Sequence, residues 1–422
     1  MPAAKKKIKV LLMGYNGENN TGAESRLVTI ARDVREVFQG QNLELEAVVL
    51  TAANARRYLK DPEVKMVEIG RPGQLWKVLK LTVAPYDLFI LVEGSTFTDH
   101  FSPFLLYMFL LGAWIHSFKP GKSVAYAVDA LEMSEFNQKL ARYVGNKIDL
   151  IITRNEDARE RLQAWGITQD ILVTTDTAFQ YQPPPRERTD RLLERLQLDP
   201  KKPLIGLAFK EFFWWPVSPK LWGPREDLYR FWPLYHTWDP GDKEKSMEMK
   251  GVWSNYADWL VEKYDANILW IAMERMDFPP SRDAYLLMEH KDRARLIPSN
   301  DFDLDDITGL LSRLRLLCST RYHACVLSMV SSIPMLAVSH DTRIESLYKE
   351  IAHMKFYMDY QTPDLLRRTR ERTEELLGGE AAVRTKIRGA YPRYLELCLQ
   401  NRKILKEWFS REFWPLADPG KP

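Results

Sequence analysis

Short apolar runs rich in Val, Ile and Leu recur along the first half of the chain, separated by longer stretches in which apolar residues return every three to four positions. The short runs read as buried strands at Ile8 to Met13, Leu45 to Leu50, Met66 to Ile69, Leu88 to Val92, Ser123 to Val128 and Leu150 to Thr153. The helical spacing is clearest over Ala23 to Phe38 and over Asn155 to Trp165, where Asn155 suits an N-cap and Gly166 a helix end. This alternation predicts a parallel sheet with helices on its faces. Gln182-Pro183-Pro184-Pro185 can continue neither a helix nor a central strand, so a domain boundary is expected there. The pattern then restarts, with strands expected at Leu204 to Phe209, Ile268 to Met273, Leu314 to Cys318 and Met335 to Val338. The fold class that follows is α/β: two Rossmann-like doubly wound parallel-sheet domains over 1–182 and 183–390. A last helix over 391–422, apolar at helical spacing from Tyr391 to Phe413 and stopped by Pro415, is expected to pack back on the first domain.

The second domain carries an insertion over 211–260. Seven of the thirteen tryptophans fall between Trp214 and Trp259, and Pro216, Pro219, Pro224, Pro233 and Pro240 interrupt the segment, which argues against a long helix. Aromatics at this density bury large areas and stack on sugar or base rings, so the insertion reads either as a lid over a cleft or as an irregular cover of the core.

A chain of 422 residues exceeds what one hydrophobic core usually supports, which agrees with two domains. The net charge of +3 is small, and the one basic block, Lys5-Lys6-Lys7, reads as a solvated arm, so no nucleic-acid partner is expected. Cys318, Cys325 and Cys398 have neither disulfide-framework nor CxxC spacing; with no signal-peptide pattern at the N-terminus, a cytoplasmic protein is expected. No cluster has metal-ligand spacing, and neither a metal nor a cofactor is expected. Phe101 to Trp114 is the most apolar stretch, but its 14 residues fall short of the roughly 20 needed to span a bilayer. It reads as a helix buried on a sheet or resting on a membrane surface, so peripheral membrane contact is the most the sequence predicts.

In doubly wound sheets ligands bind beyond the carboxyl ends of the strands, which directs attention to four loops. Gly14 to Glu24 is rich in Gly and Asn and opens a helix, a place for close backbone approach and for an anion. Glu93 to His100 gathers an acid, hydroxyls and an imidazole able to hold or deprotonate a sugar hydroxyl. Asp129-Ala130-Leu131-Glu132 supplies further acids. Cys318 to Cys325 contains Ser319-Thr320-Arg321-Tyr322-His323 at a strand end that opens a helix, where Arg321 and His323 suit a phosphate or carboxylate.

These segments resemble the polysaccharide pyruvyl transferase family, from about Val10 to Ile351 and in the family's order. GYNGENNTGAE is similar to its opening motif through Asn20, Gly22 and Glu24; DLFILVEGS at 87–95 is similar to its strand and glycine loop. DLIITRNEDARERLQAWGI at 149–167 and TTDTAF at 174–179 correspond to two further segments, and RYHACVLSMVSSIPMLAVSHDTR at 321–343 is the most specific. The chain departs from the pattern at Ala23, Glu93, Ser95, the Val128-Asp129-Ala130 turn and Arg343. The resemblance implies a GT-B architecture with the acceptor on the first domain and the donor on the second. It also implies transfer of a pyruvyl group from phosphoenolpyruvate to a sugar acceptor, free or lipid-linked, as a ketal. On that reading Arg321, Arg343, Ser319 and Thr320 bind the donor, and Asn20, Gly22, Ser95 and Asp129 bind the acceptor. His323, as a group titrating near neutrality, is expected to donate the proton, with Glu24, Glu93 or Asp99 taking the hydroxyl proton. Two rival readings are a GT-B glycosyltransferase with a nucleotide-sugar donor and a repurposed non-catalytic member that binds an anionic ligand. The oligomeric state is not encoded in any of these signals.

Overall fold

In the first sheet of the computed structural model, all neighbours are parallel and the order is β3-β2-β1-β4-β5-β6-β7. Its strands are β1 (Lys7–Met13), β2 (Asn42–Val49), β3 (Val64–Glu68), β4 (Leu88–Leu91), β5 (Lys122–Val128), β6 (Leu150–Thr153) and β7 (Ile171–Val173). The connecting helices are α1 (Thr21–Val37), α2 (Ala52–Ala55), α3 (Gln74–Val83), α4 (Pro103–His116), α5 (Glu135–Gly145) and α6 (Glu156–Ala164). Two apolar clusters, one on each face of this sheet, explain why β4 and β6 are buried at every position and read as unbroken apolar runs. The structure describes residues 7–70, 74–229 and 232–413; Lys5, Lys6 and Pro415 lie outside them.

The second sheet repeats the architecture. After α7 (Arg186–Arg195) and β8 (Leu204–Ala208) comes a two-stranded hairpin, β9 (Ser218–Pro219) and β10 (Leu234–Tyr235), then α8 (Asp242–Tyr264) and β11 (Asn267–Ala272). They are followed by α9 (Phe278–Leu287), β12 (Ala294–Pro298), α10 (Leu304–Ser312), β13 (Leu316–Ser319), α11 (Tyr322–Met329) and β14 (Met335–Val338). The chain closes with α12 (Thr342–Glu350), β15 (Tyr357–Met358), α13 (Leu365–Gly378) and α14 (Glu380–Trp408). The sheet order is β12-β11-β8-β13-β14-β15, parallel throughout.

Five elements differ from the sequence expectation: α8, α14 and the strands β7, β12 and β15. The prolines of the insertion do break it, but only to Pro240: from Asp242 onward it is the 23-residue α8, buried along one side through Met249, Trp253, Tyr256 and Leu260. The last helix begins at Glu380, not near 391, because Gly378 and Gly379 break the chain there and Pro392 is carried inside α14. The strands β7, β12 and β15 had no clear signal: two are only three and two residues long, and β12, at the sheet edge, tolerates Arg295 and Pro298. α14 leaves the second core at Cys398 and inserts Leu405, Trp408 and Phe409 into a cluster of the first sheet, where Phe409 meets Phe38 with ring centroids 4.4 Å apart.

Candidate active site

In both sheets the strand order reverses beside the first strand, at β1/β4 and at β8/β13, and such switch points open a crevice beyond the carboxyl ends. The two crevices face each other across a cavity of about 690 Å³. It is lined from the first sheet by Glu18, Asn20, Gly22, Arg26, Glu93 and Ser95, and from the second by Lys210, Arg321, His323 and Arg343. Direct bonds cross it: the Thr21 amide donates to the Met273 carbonyl at 2.8 Å, and Arg343 Nη1 donates to Ser95 Oγ at 3.3 Å.

The floor is a buried ionic network. Arg154 donates to Asp129 Oδ2 at 2.8 and 2.6 Å and to Asp176 Oδ2 at 2.7 Å, while Arg26 Nη1 lies 3.0 Å from Asp176 Oδ1. Burial alone would raise the Asp176 pKa, but Arg26, His323 and Arg154 hold its carboxyl well below the usual range. The backbone makes room for these cations at Gly94, where a Cβ would stand 2.6 Å from Arg154 Nη1 and 3.3 Å from Arg26 Nε. Gly22 has the same role opposite: a Cβ there would stand 2.1 Å from His323 Nδ1, so only glycine lets the start of α1 meet the start of α11.

The second sheet supplies cations from three adjacent strand ends: Lys210 after β8, Arg321 after β13 and Arg343 after β14. Arg321 is held by Asp277 (Nε to Oδ2, 2.7 Å) and Glu274 (Nη2 to Oε2, 2.9 Å), and Arg343 by Asp341 (Nε to Oδ1, 2.7 Å). Lys210 differs: among the described residues it makes no ion pair, and its ammonium faces the rings of Phe101, Trp215 and Phe212 at 5.0, 5.2 and 5.7 Å. Burial pushes its pKa down to about 7, Arg321 and Arg343 push the same way, and Asp341 opposes.

The expected site residues separate into two groups. Asn20, Gly22, Glu93, Ser95, Arg321, His323 and Arg343 line the cavity; Asn20 also caps α1 by accepting from the Ala23 amide at 3.1 Å. Glu93 presents a carboxylate that accepts from the amides of Tyr15 and Ser95, each at 3.2 Å. The others do not reach the cavity. Asp99 Oδ2 accepts from the Ser134 amide (3.0 Å), Ser134 Oγ (2.8 Å) and Asn137 Nδ2 (2.7 Å), so it anchors the start of α5 and is not placed as a base. Asp129 is engaged by Arg154 and does not line the cavity. Glu24 is buried off the cavity, where burial raises its pKa to about 8 against the pull of Arg57.

Ser319 Oγ is engaged with the Arg321 backbone, and Thr320 Oγ1 accepts the Lys210 amide at 2.6 Å; neither lines the cavity. His323 needs a further correction. Its burial lowers the imidazole pKa to about 4 despite Asp176, whose Oδ2 lies 3.5 Å from Nε2, so at neutral pH it is uncharged and not a ready acid. Sequence reasoning missed Arg26, Arg154, Asp176 and Lys210 as site residues. Arg154 and Asp176 stood inside two quoted segments, whereas Lys210, an isolated lysine before Glu211 and Phe212, gave no signal.

The insertion supplies part of the cavity wall. Trp215, Val217, Tyr229 and Leu234 line it, and the Val217 amide donates to the Phe101 carbonyl at 3.2 Å.

The family model described as polysaccharide pyruvyl transferase matches residues 20–342. No curated protein sequence matches. Among solved structures the chain is similar to a UDP-GlcNAc 2-epimerase from Neisseria meningitidis bound to UDP-GlcNAc, at 11% identity and TM-score 0.59 over 96% of this chain and 100% of that one. It is similar to a putative UDP-N-acetylglucosamine 2-epimerase from Listeria monocytogenes at 14% identity and TM-score 0.58, over 96% and 97% of the two chains. A glycosyltransferase from Rickettsia africae aligns at 10% identity and TM-score 0.55, over 96% and 100%. These likenesses establish the GT-B fold.

Proposed function

The chain belongs to the polysaccharide pyruvyl transferase family, and from that premise we propose that it moves a pyruvyl group from phosphoenolpyruvate to two hydroxyls of a sugar acceptor. The carrying observation is Lys210, a buried ammonium without a carboxylate partner among the described residues, beside two arginines at neighbouring strand ends. Arg321 and Arg343 are paired with acids; Lys210 is the buried cation of the cavity that no carboxylate contacts among the described residues, and a phosphate or carboxylate would supply the partner.

In the reaction, the enol methylene carbon takes up one proton and becomes a methyl group, while a sugar hydroxyl adds at the adjacent carbon. Phosphate leaves with its bridging oxygen, and a second hydroxyl adds at the same carbon to close the ketal. Of the two hydroxyl protons released, one balances the methyl group and the other leaves with phosphate. Lys210 is the proposed proton donor in place of His323, since a pKa of about 7 suits proton transfer at neutrality. Glu93, across the cavity, takes the hydroxyl proton; Asn20 and Ser95 contact the acceptor; His323 serves as a neutral hydrogen-bonding group beside Asp176.

The test is a thermal-shift comparison of phosphoenolpyruvate, nucleotide sugars and nucleoside diphosphates, followed by phosphate release with a sugar panel. Phosphoenolpyruvate at a hundred times its Kd should add about 2.7 kcal/mol of stability. Lys210→Met should weaken its binding by about one to two powers of ten. Stabilisation by a nucleoside diphosphate but not by phosphoenolpyruvate would select the glycosyltransferase reading instead.

A further inference from the structure

Helix α4 has no charged residue in PFLLYMFLLGAWIH, and it is only partly covered by the fold. Its inner side, through Leu106, Phe109, Leu110 and Ala113, packs into the first core. Its outer side exposes Tyr107 and Leu111 and leads to Phe118, which is 66% exposed. A helix on a protein surface normally presents polar residues there. The apolar face continues sideways onto α3 and α5, which pack against α4 and expose Trp76 at 76% and Phe136 at 71%, together with Val83 and Tyr143.

Basic side chains outnumber acidic ones around this face. α3 contributes Lys77 and Lys80 and no acid, and α5 contributes Lys139 and the single acid Glu135, its Arg142 lying against Gly166 on the other side. Lys147 lies 5.7 Å from the Phe118 ring and 5.1 Å from that of Tyr143, an ammonium perched on the aromatic rim. The acids nearby are Asp99, which holds the start of α5, Glu132, and Asp149, which is paired with Lys122 at 3.0 Å.

From these observations we infer that the α3–α4–α5 face docks on an anionic lipid surface. Aromatic and aliphatic side chains would enter the headgroup boundary, and the lysines would meet lipid phosphates. A second copy of the chain fits less well, because a two-fold contact through the same face would set one basic rim against the other. No helix among the described residues is long and apolar enough to cross a membrane, so the contact is peripheral. The residues at the leading end of the same helix, Phe104 and Leu105, line the cavity, so docking brings the cleft mouth to the bilayer. The inference stands on the surface alone and does not depend on the donor.

Flotation of the full chain with vesicles of phosphatidylcholine, or of equal parts phosphatidylcholine and phosphatidylglycerol, tests it. Binding to the mixed vesicles should exceed binding to the neutral ones about tenfold and weaken with salt. The double variant Leu111→Glu, Phe118→Glu should lose about tenfold in binding with its melting temperature and its activity on a water-soluble acceptor unchanged. Lys80→Glu with Lys139→Glu should remove the preference for anionic lipid. Failure of the wild-type chain to float with mixed vesicles would overturn the proposal. So would a dimer in sedimentation that the Leu111→Glu, Phe118→Glu pair converts to monomer.

Discussion

An ammonium that loses its hydration water without gaining a carboxylate is pushed toward its neutral form, and Lys210 is in that position. In the free protein its proton is half lost at about pH 7. If it supplies the proton to the enol carbon, kcat/KM, which reports the free protein, should fall as pH rises through about 7. A bound phosphoenolpyruvate places negative charge beside the ammonium and raises its pKa, so the fall in kcat should lie about one unit higher or more. Lys210→Arg keeps the cation and should retain donor binding, yet lose about a hundredfold in turnover together with the falling limb. A limb that persists unchanged in Lys210→Arg would exclude this lysine as the acid. Glu24 is displaced the opposite way. Its folded pKa of about 8 lies above the roughly 4.3 of an unfolded glutamate. Below about pH 4 both states are protonated and the group adds nothing; between there and about 8 only the unfolded state ionises, so stability is lost as pH rises. Glu24→Gln should therefore be near neutral in urea unfolding at about pH 4 and stabilising at about pH 8. An equal effect at the two pH values would show that the carboxyl does not titrate in this way.

Elements divide by how much of their placement is local. The strands of both sheets other than β7, β12 and β15, and the helix α6, could be read from the chain because a strand buried on both faces must be apolar throughout, and because Asn155 and Gly166 bring their own backbone preferences. The same holds for the start of α11, whose Arg321 and His323 stood at a strand end. What could not be read is long-range. Arg26 sits mid-helix and acquires meaning only when α1 lies beside Asp176, and Asp99 resembles a base until Ser134 and Asn137 are seen to occupy it. The insertion also mixes the two kinds of information: its prolines predicted an irregular segment, while its place on the cavity wall required the partner contact at Phe101. Because Trp215 faces Lys210 at 5.2 Å, deleting the whole insertion would disturb the donor side as well. The informative change is smaller. Replacing the hairpin tip from Lys220 to Pro233 by two glycines removes Tyr229 from the wall and leaves Trp215 and Val217. If the tip serves the acceptor, KM for the sugar should rise about tenfold with donor affinity held within about twofold. An equal loss of donor affinity in a folded variant would refute the assignment.

At the scale of the whole molecule, the two sheets share contacts that a chain of independent domains would lack. Tyr181 donates to Asp305 at 2.5 Å, Arg57 reaches the Ser299 carbonyl at 3.1 Å, and Asn19 donates to Asn300 at 2.8 Å. The largest single link is α14. Its first part packs with Val383, Ile387 and Tyr394 in the second core, and Asn401 then accepts from Thr174 Oγ1 at 2.7 Å and donates to the Thr175 carbonyl at 3.0 Å beyond β7. Its last turns place Leu405, Trp408 and Phe409 in the first core. Each buried leucine or aromatic side chain of this kind contributes about 2 to 5 kcal/mol. Ending the chain after Gln400 would remove Asn401 and the three apolar anchors together, leaving their sites in the first core empty. The second core would keep its own part of the helix. The full chain should therefore unfold in one calorimetric transition, and the shortened one in two, with the transition of the first sheet lowered by about ten degrees or more. Phosphoenolpyruvate, held in the proposed site mainly by the second sheet, should still raise the upper transition of the shortened chain. A shortened chain that melts once, at the temperature of the full one, would mean that the helix decorates an interface already complete without it.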